Sequence, residues 1–209
     1  EEEVKDIDFN LKKIVLSNRP SVNYSKLVLN YGSQTIIPKE FESLVKNRNA
    51  FSIKPFLRAY DSILKEDIFD SVNELPFVIV GSGLAAIEVS YALRKRWRDR
   101  PLKLLCDSRK INNTILKSLR NSNIDLVEKL NFDYGKILLC TGNTSPLWAQ
   151  KKLLDSDSHG RIITNQNLQI KSFSGIFAVG DCAVVGSAKR PASGVFAVKV
   201  VNTLVQNLK

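Results

Sequence analysis

Short runs of β-type composition open the chain: Val4 to Phe9, Lys13 to Leu16 and Lys26 to Leu29, broken at Asn18-Arg19-Pro20. Residues 38–72 are mixed, with Pro38, Pro55 and many charges, yet Phe56, Leu57, Tyr60, Ile63 and Leu64 recur at a helical period. The pattern then tightens. The apolar run Phe77-Val78-Ile79-Val80 ends in Gly81-Ser82-Gly83-Leu84, and apolar positions continue at helical spacing through Val89, Ala92 and Leu93. Leu102 to Cys106 is a second strand-like run, closing at Asp107. Strand, glycine turn, helix and strand in this order make a βαβ unit. Ile115, Leu116 and Leu119 predict a further helix, and Ile124 to Val127 a further strand. The last third has two apolar runs that end in glycine: Lys136 to Cys140 before Thr141-Gly142, and Gly175 to Val179 before Gly180-Asp181. Val195, Val198, Val201, Leu204 and Val205 mark a final amphipathic helix over about residues 191–208.

Composition narrows the classes. Hydrophobic residues make up 44% of the 209, enough for a real core. No apolar run reaches the roughly 18 residues that span a bilayer, so no transmembrane segment is predicted. Glu1-Glu2-Glu3 does not resemble a signal peptide, and the expected location is cytoplasmic. With no methionine anywhere, the sequence reads as a fragment or a processed product. The net charge of +10 permits an anionic cofactor, membrane or nucleic acid. Its densest stretch, Arg94 to Arg100 around Trp97, falls at the end of a predicted helix, where cations complement the helix dipole. No aromatic-basic RNA motif accompanies it, so nucleic acid is not an expected partner. Cys106, Cys140 and Cys182 lie too far apart in sequence for a C-x-x-C pair, which argues against a zinc site, a disulfide framework and a redox dithiol. The single His159 sits in a polar run and reads as a turn residue; no metal site is expected.

The turn Gly81-Ser82-Gly83-Leu84 carries the candidate chemistry. A dinucleotide pyrophosphate is bulky and anionic. The first glycine permits a tight turn and the second lets backbone approach the phosphates. The following helix offers free N–H groups and a partial positive charge. Ala86 occupies the third fingerprint position and still allows close helix–strand packing. Asp107, at the end of the next strand, can accept both ribose hydroxyls of NAD(H). Arg109 and Lys110 just beyond it could pair instead with the 2′-phosphate of NADP(H), and Asp107 could also simply cap its loop. The balance favours NAD(H). Asp181, directly after a strand, can cap a helix or bind a ribitol hydroxyl.

Taken together, Gly81-x-Gly83 with Glu88, Leu139-Cys140-Thr141-Gly142 and Ile176 through Asp181 resemble the pyridine nucleotide–disulfide oxidoreductase superfamily. More narrowly, the chain is similar to the NADH dehydrogenase-like module fused to selenide, water dikinase. That likeness rests on Lys54-Pro55, Pro146-Leu147-Trp148 after Thr141-Gly142, Asn167-Leu168-Gln169, Gly180-Asp181-Cys182-Ala183, and the tail from Arg190-Pro191 through Asn207-Leu208. The resemblance implies that Gly81, Gly83 and Glu88 serve the nicotinamide nucleotide, that Thr141, Gly142, Gly180 and Asp181 line a flavin, and that Glu88 faces the nicotinamide. Lys54 matches a loop lysine of the family, and by itself reads as a solvated loop lysine.

The expected fold is α/β: an FAD/NAD(P)-binding, Rossmann-like fold with a nicotinamide domain, 74–134, inserted into an incomplete flavin domain, 1–73 and 135–209. The flanks are expected to pack together. The family's opening glycine fingerprint for FAD is missing here, so weak or no FAD retention is expected. Few residues separate Ile124 from Ile137, so the nicotinamide domain is expected to lack the family's antiparallel meander. The leading reading is part of an FAD-dependent NAD(P)H oxidoreductase that passes electrons to a small-molecule acceptor, with an attached or associated selenide, water dikinase as a possible partner. No catalytic side chain is assigned, since a flavin carries such chemistry. A non-catalytic nucleotide-binding or docking module is the alternative, and a basic nucleic-acid-binding domain a weaker one.

Overall fold

A computed structural model describes residues 2–67, 75–146, 149, 154–186 and 194–208. In chain order the elements are β1 (Val4–Asp8), β2 (Lys13–Leu16), β3 (Val22–Asn23), β4 (Leu27–Leu29), β5 (Gln34–Thr35), α1 (Lys39–Lys46), β6 (Ala50–Ser52) and α2 (Phe56–Asp67). The βαβ stretch follows as β7 (Phe77–Val80), α3 (Leu84–Arg96), β8 (Leu102–Leu105), α4 (Asn113–Asn121) and β9 (Ile124–Val127). The remainder is β10 (Ile137–Leu139), β11 (Asn143–Thr144), β12 (Ile162–Thr164), β13 (Ile176–Ala178), β14 (Ala183–Val185), α5 (Gly194–Lys199) and α6 (Val201–Leu208). The final helical stretch is thus two helices meeting at Val200; residues 191–193 of the expected helix lie outside the described residues, as do Leu147, Trp148, Arg190 and Pro191.

The chain divides into two compact units, Glu1–Ser33 with Thr144–Lys209, and Gln34–Asn143. The second unit is wider than residues 74–134. Its five-stranded sheet runs β6-β10-β7-β8-β9, all parallel, so β10 is hydrogen-bonded between β6 and β7. Every residue of β7 is buried because both faces of the strand are covered. Successive side chains take opposite faces. Phe77 and Ile79 join Ile63, Ala86, Leu93, Leu116 and Leu119 from the helices on one side. Val78 and Val80 join Phe41 of α1, with Leu130 and Tyr134 packed against them, on the other.

The basic stretch is largely consumed by this unit's own packing. Arg94 donates to the carbonyls of Trp97 (2.8 Å), Arg98 (2.8 Å) and Asn123 (2.7 Å), tying the end of α3 to the loop before β9. Arg96 pairs with Asp67, which also accepts from Trp97 Nε1 at 2.8 Å. Arg96 thereby holds the Asp67 carboxyl below its ordinary value. Arg100 is buried, donates to Glu66 Oε2 at 2.8 Å, and lies 4.6 Å above the Trp97 ring.

In the other unit β1, β2 and β3 form an antiparallel meander, β13 pairs with β4, and β12 pairs with β14. Ile7, Leu29, Ile162, Ile170, Ile176 and Ala178 make its core.

Candidate functional site

The glycine turn after β7 sits where the strand order reverses. Strands β8 and β9 follow β7 on one side, while β10 lies on the other. In open parallel sheets, ligands occupy the crevice outside the carboxyl ends at such a switch point. The two glycines of the turn answer to different demands. Gly81 has φ +146°, and a Cβ there would meet the Cys140 carbonyl oxygen at 2.4 Å. Its N–H donates to Leu105 O (3.0 Å), while the Cys140 N–H donates to Val80 O (2.8 Å). The fold itself therefore requires glycine at position 81. Gly83 is different: its backbone is extended (φ −90°, ψ 172°) and a Cβ would meet nothing within 4 Å. The fold does not need glycine there.

Gly83 is also the N-cap of α3, and no side chain caps that helix. The first turn carries no acid, whereas the last carries Arg94, Lys95 and Arg96. The positive end of the dipole is thus left without a carboxylate from its own helix. Ser82 Oγ accepts the Asp107 N–H at 2.9 Å, which fastens the glycine turn to the end of β8. Asp107 caps the short turn Ser108–Lys110 and forms a two-pronged ion pair with Arg109 (Nε 2.9 Å, Nη2 3.1 Å), with Lys110 Nζ at 3.6 Å. Arg109 pulls the Asp107 carboxyl below the usual carboxylate range.

Gly81, Ser82, Asp107 and Arg109 share one cleft of about 810 Å³ within the second unit, which Gly83 and Lys110 do not line. Gly81, Ser82, Asp107 and Thr141 line it, and Phe41, Leu44, Leu130 and Tyr134 form its apolar wall. Thr141 anchors its edge by donating its hydroxyl to the Ile36 carbonyl. Gly142, next in sequence, has φ +99°, with the Ile36 side chain 3.6 Å from where its Cβ would stand. Leu84 is 67% exposed, and Glu88 is exposed one turn into α3; neither lines the cleft. Lys54 is positioned by its own N–H, which donates to Thr35 Oγ1 at 3.0 Å.

Gly180 and Asp181 lie in the other unit, in the turn after β13. Gly180 has φ +70°, and its Cβ would stand 2.6 Å from Asn30 Oδ1, so here again the fold demands glycine. Asp181 Oδ2 accepts from Ser33 Oγ at 3.5 Å. Cys182 beside it is buried, and desolvation pushes its thiol up to about 11. Cys140 is pushed up to about 12 for the same reason, and the Cys106 thiol is also raised. All three thiols are therefore poor nucleophiles. Among the described residues no cluster of His, Cys, Asp and Glu could hold a metal.

The sequence reading missed the cleft wall. Phe41, Leu44 and Tyr134 come from segments far from the glycine turn and carry no local motif. Arg109 and Lys110 were in view, but the ion pair that ties them to Asp107 was not.

The sheet order and the site at its switch point define an α/β protein with an FAD/NAD(P)-binding, Rossmann-like fold. Water-forming NADH oxidase from Lactobacillus brevis superposes on 99% of this chain and 52% of its own, with a TM-score of 0.78 and 20% identity. Among curated sequences, human ferroptosis suppressor protein 1 is 25% identical over 244 aligned positions, covering 99% of this chain. A probable NADH dehydrogenase of Dictyostelium discoideum is 26% identical over 218, covering 81%. This chain spans 62% and 48% of those relatives' lengths. No protein-family model matches the sequence. The Dictyostelium relative is thus named for NADH dehydrogenation, and the Lactobacillus structure is an NADH oxidase bound to NADH. Among the described residues no helix is long and apolar enough to cross a membrane.

Proposed function

We propose that the 34–143 unit is the nicotinamide-dinucleotide site of a flavin-linked NAD(P)H oxidoreductase. Gly83 carries this reading: a glycine that neither torsion nor packing requires stands at the uncapped start of α3. Close approach of a phosphate supplies the missing reason for it. Gly81 shapes the turn, Ser82 and Asp107 hold the ribose side, and Thr141 borders the far end of the cleft. The apolar wall of Phe41, Leu44 and Tyr134 excludes water from a planar ring system. On this reading, Glu88 is solvated rather than directed at the ring.

A flavin, when bound, would take the hydride from the nucleotide and pass electrons to a small-molecule acceptor. The chain's own residues would serve it through Asp181, whose carboxylate suits a polyol hydroxyl beside Ser33. Gly180 is accounted for by its positive φ and the neighbouring Asn30 side chain, and adds no support. The resemblance of the Gly180-Asp181-Cys182-Ala183 stretch and the tail extends the reading to a cytoplasmic protein with an attached or associated selenide, water dikinase.

The test is a nucleotide titration on the purified chain, followed by intrinsic fluorescence and calorimetry. Saturable NAD(P)H binding that disappears in Gly83→Trp, with the thermal transition preserved, supports the reading. Undiminished binding in that variant places the nucleotide elsewhere and overturns it.

The basic-surface alternative is weakened by Arg94, Arg96 and Arg100, which are spent on carbonyls, Asp67 and Glu66.

A further inference from the structure

Building on the dinucleotide reading, we propose that Lys54 is a specificity-determining residue at the nicotinamide end of the site. Its ammonium disfavours the positively charged oxidised ring, so the chain prefers NADH to NAD+.

On that reading the pyrophosphate sits at the switch point between β7 and β10. A dinucleotide lying across it puts one half over β8 and β9 and the other over β10 and β6. Ser82 and Asp107, at the β8 side, take the adenosine half. The nicotinamide half then extends over β10 and β6. These two strands are parallel, with Leu139 opposite Ser52. The Ile53 N–H donates to Leu139 O at 3.0 Å, which carries the pairing one residue further. Continuing the register by two residues brings Lys54 beside Thr141 at the carboxyl ends, on a strand about 4.8 Å away.

Both residues are fastened to the same short segment. The Lys54 N–H donates to Thr35 Oγ1 at 3.0 Å, and Thr35 is buried. The Thr141 hydroxyl donates to the Ile36 carbonyl, and the Ile36 N–H donates to Gly142 O at 3.1 Å. The cleft described above ends at Thr141. Lys54 does not line it; it stands one strand beyond, on the side toward which the ring end of the dinucleotide extends.

The reduced nicotinamide ring is neutral and the oxidised ring carries a positive charge, so a nearby ammonium separates the two redox states electrostatically. The other charges of the site divide by position. Asp107, Glu128, Arg109 and Lys129 belong to the turns after β8 and β9, on the adenosine side. Glu40, in the first turn of α1, is the one carboxylate among the described lining residues outside those turns. It would attract the oxidised ring, opposite to the lysine, so the test must separate the two.

The experiment measures NADH, NAD+ and ADP-ribose binding to the full chain by calorimetry; ADP-ribose lacks the ring. At the effective dielectric of a protein cleft, one unit charge across roughly 10 Å changes affinity about tenfold. The parent should therefore bind NADH about tenfold tighter than NAD+. Lys54→Met should remove that preference and leave ADP-ribose affinity unchanged, while Lys54→Arg should keep it. Both variants retain the contact to Thr35, because it uses the Lys54 backbone. The loss should persist in a Glu40→Gln background, which shows that the lysine does not act through that carboxylate. Equal affinity of the parent for NADH and NAD+, a preference that survives Lys54→Met, or a loss shared equally by ADP-ribose overturns the proposal. Failure of all three probes to bind removes the dinucleotide reading itself, and this inference with it.

Discussion

Alanine at position 81 and alanine at position 83 separate what the fold needs from what a ligand needs. At position 81 the new Cβ would stand 2.4 Å from the Cys140 carbonyl oxygen and 3.2 Å from the Ala86 Cβ. The oxygen is backbone, and it belongs to the residue whose N–H bonds Val80. Relief therefore means separating β7 from β10 at the middle of the sheet. The backbone at φ +146° adds strain of about 1–3 kcal/mol for a side chain. Together these effects should cost about 3 kcal/mol, which lowers the thermal midpoint by roughly 10 °C for a unit of this size. At position 83 the Cβ meets nothing. The weaker N-cap and the reduced freedom of the unfolded chain oppose each other, leaving a change within about 1 kcal/mol. Calorimetry and urea denaturation of both variants give the comparison. A Gly81→Ala protein as stable as the parent, or a Gly83→Ala protein as damaged as Gly81→Ala, would refute the assignment of the two glycines.

Three further outcomes follow from the buried groups. Arg100→Met leaves the Glu66 carboxylate buried without its cation and should cost about 3–5 kcal/mol in denaturant unfolding, with the double variant Glu66→Leu/Arg100→Met recovering much of it; a mild single-variant effect would contradict the burial of the pair. The Cys140 thiol is raised by burial to about 12, so its contribution to stability is intact below the unfolded value of about 8.5 and declines as pH climbs from there toward 12. Replacing Cys140 with alanine should flatten stability between about pH 8.5 and 11 relative to the parent, and native protein should resist a thiol reagent at all three cysteines until urea is added; rapid labelling of folded protein would show that these thiols are accessible.

The βαβ stretch was legible because its signals are local. The apolar run Phe77 to Val80 is β7 residue for residue, and the glycine turn and Asp107 stand at the strand ends where the pattern puts them. Strand β10 was legible as a strand, but not its place between β6 and β7. Pairing between strands so distant in sequence leaves no periodicity to read, which is why the joining of β6 and β10 to the βαβ sheet was not foreseen. Charge was misleading in the same way. Arg100 looks like one more basic residue in a solvated stretch until Glu66, Trp97 and Phe77 are seen to enclose it. Glu88 lies one turn into α3, as its spacing from Gly83 predicts, and its side chain is exposed.

The hydrogen bond from the Asp107 amide to Ser82 Oγ has a thermodynamic meaning beyond the position of either residue. It joins the segment that would face phosphates to the segment that would face the ribose. A dinucleotide bound there would meet one template whose ordering entropy was already spent when the chain folded, not two loops to be fixed in turn. On the proposed reading, affinity at either end of the nucleotide would be coupled to the rigidity of a single serine hydroxyl.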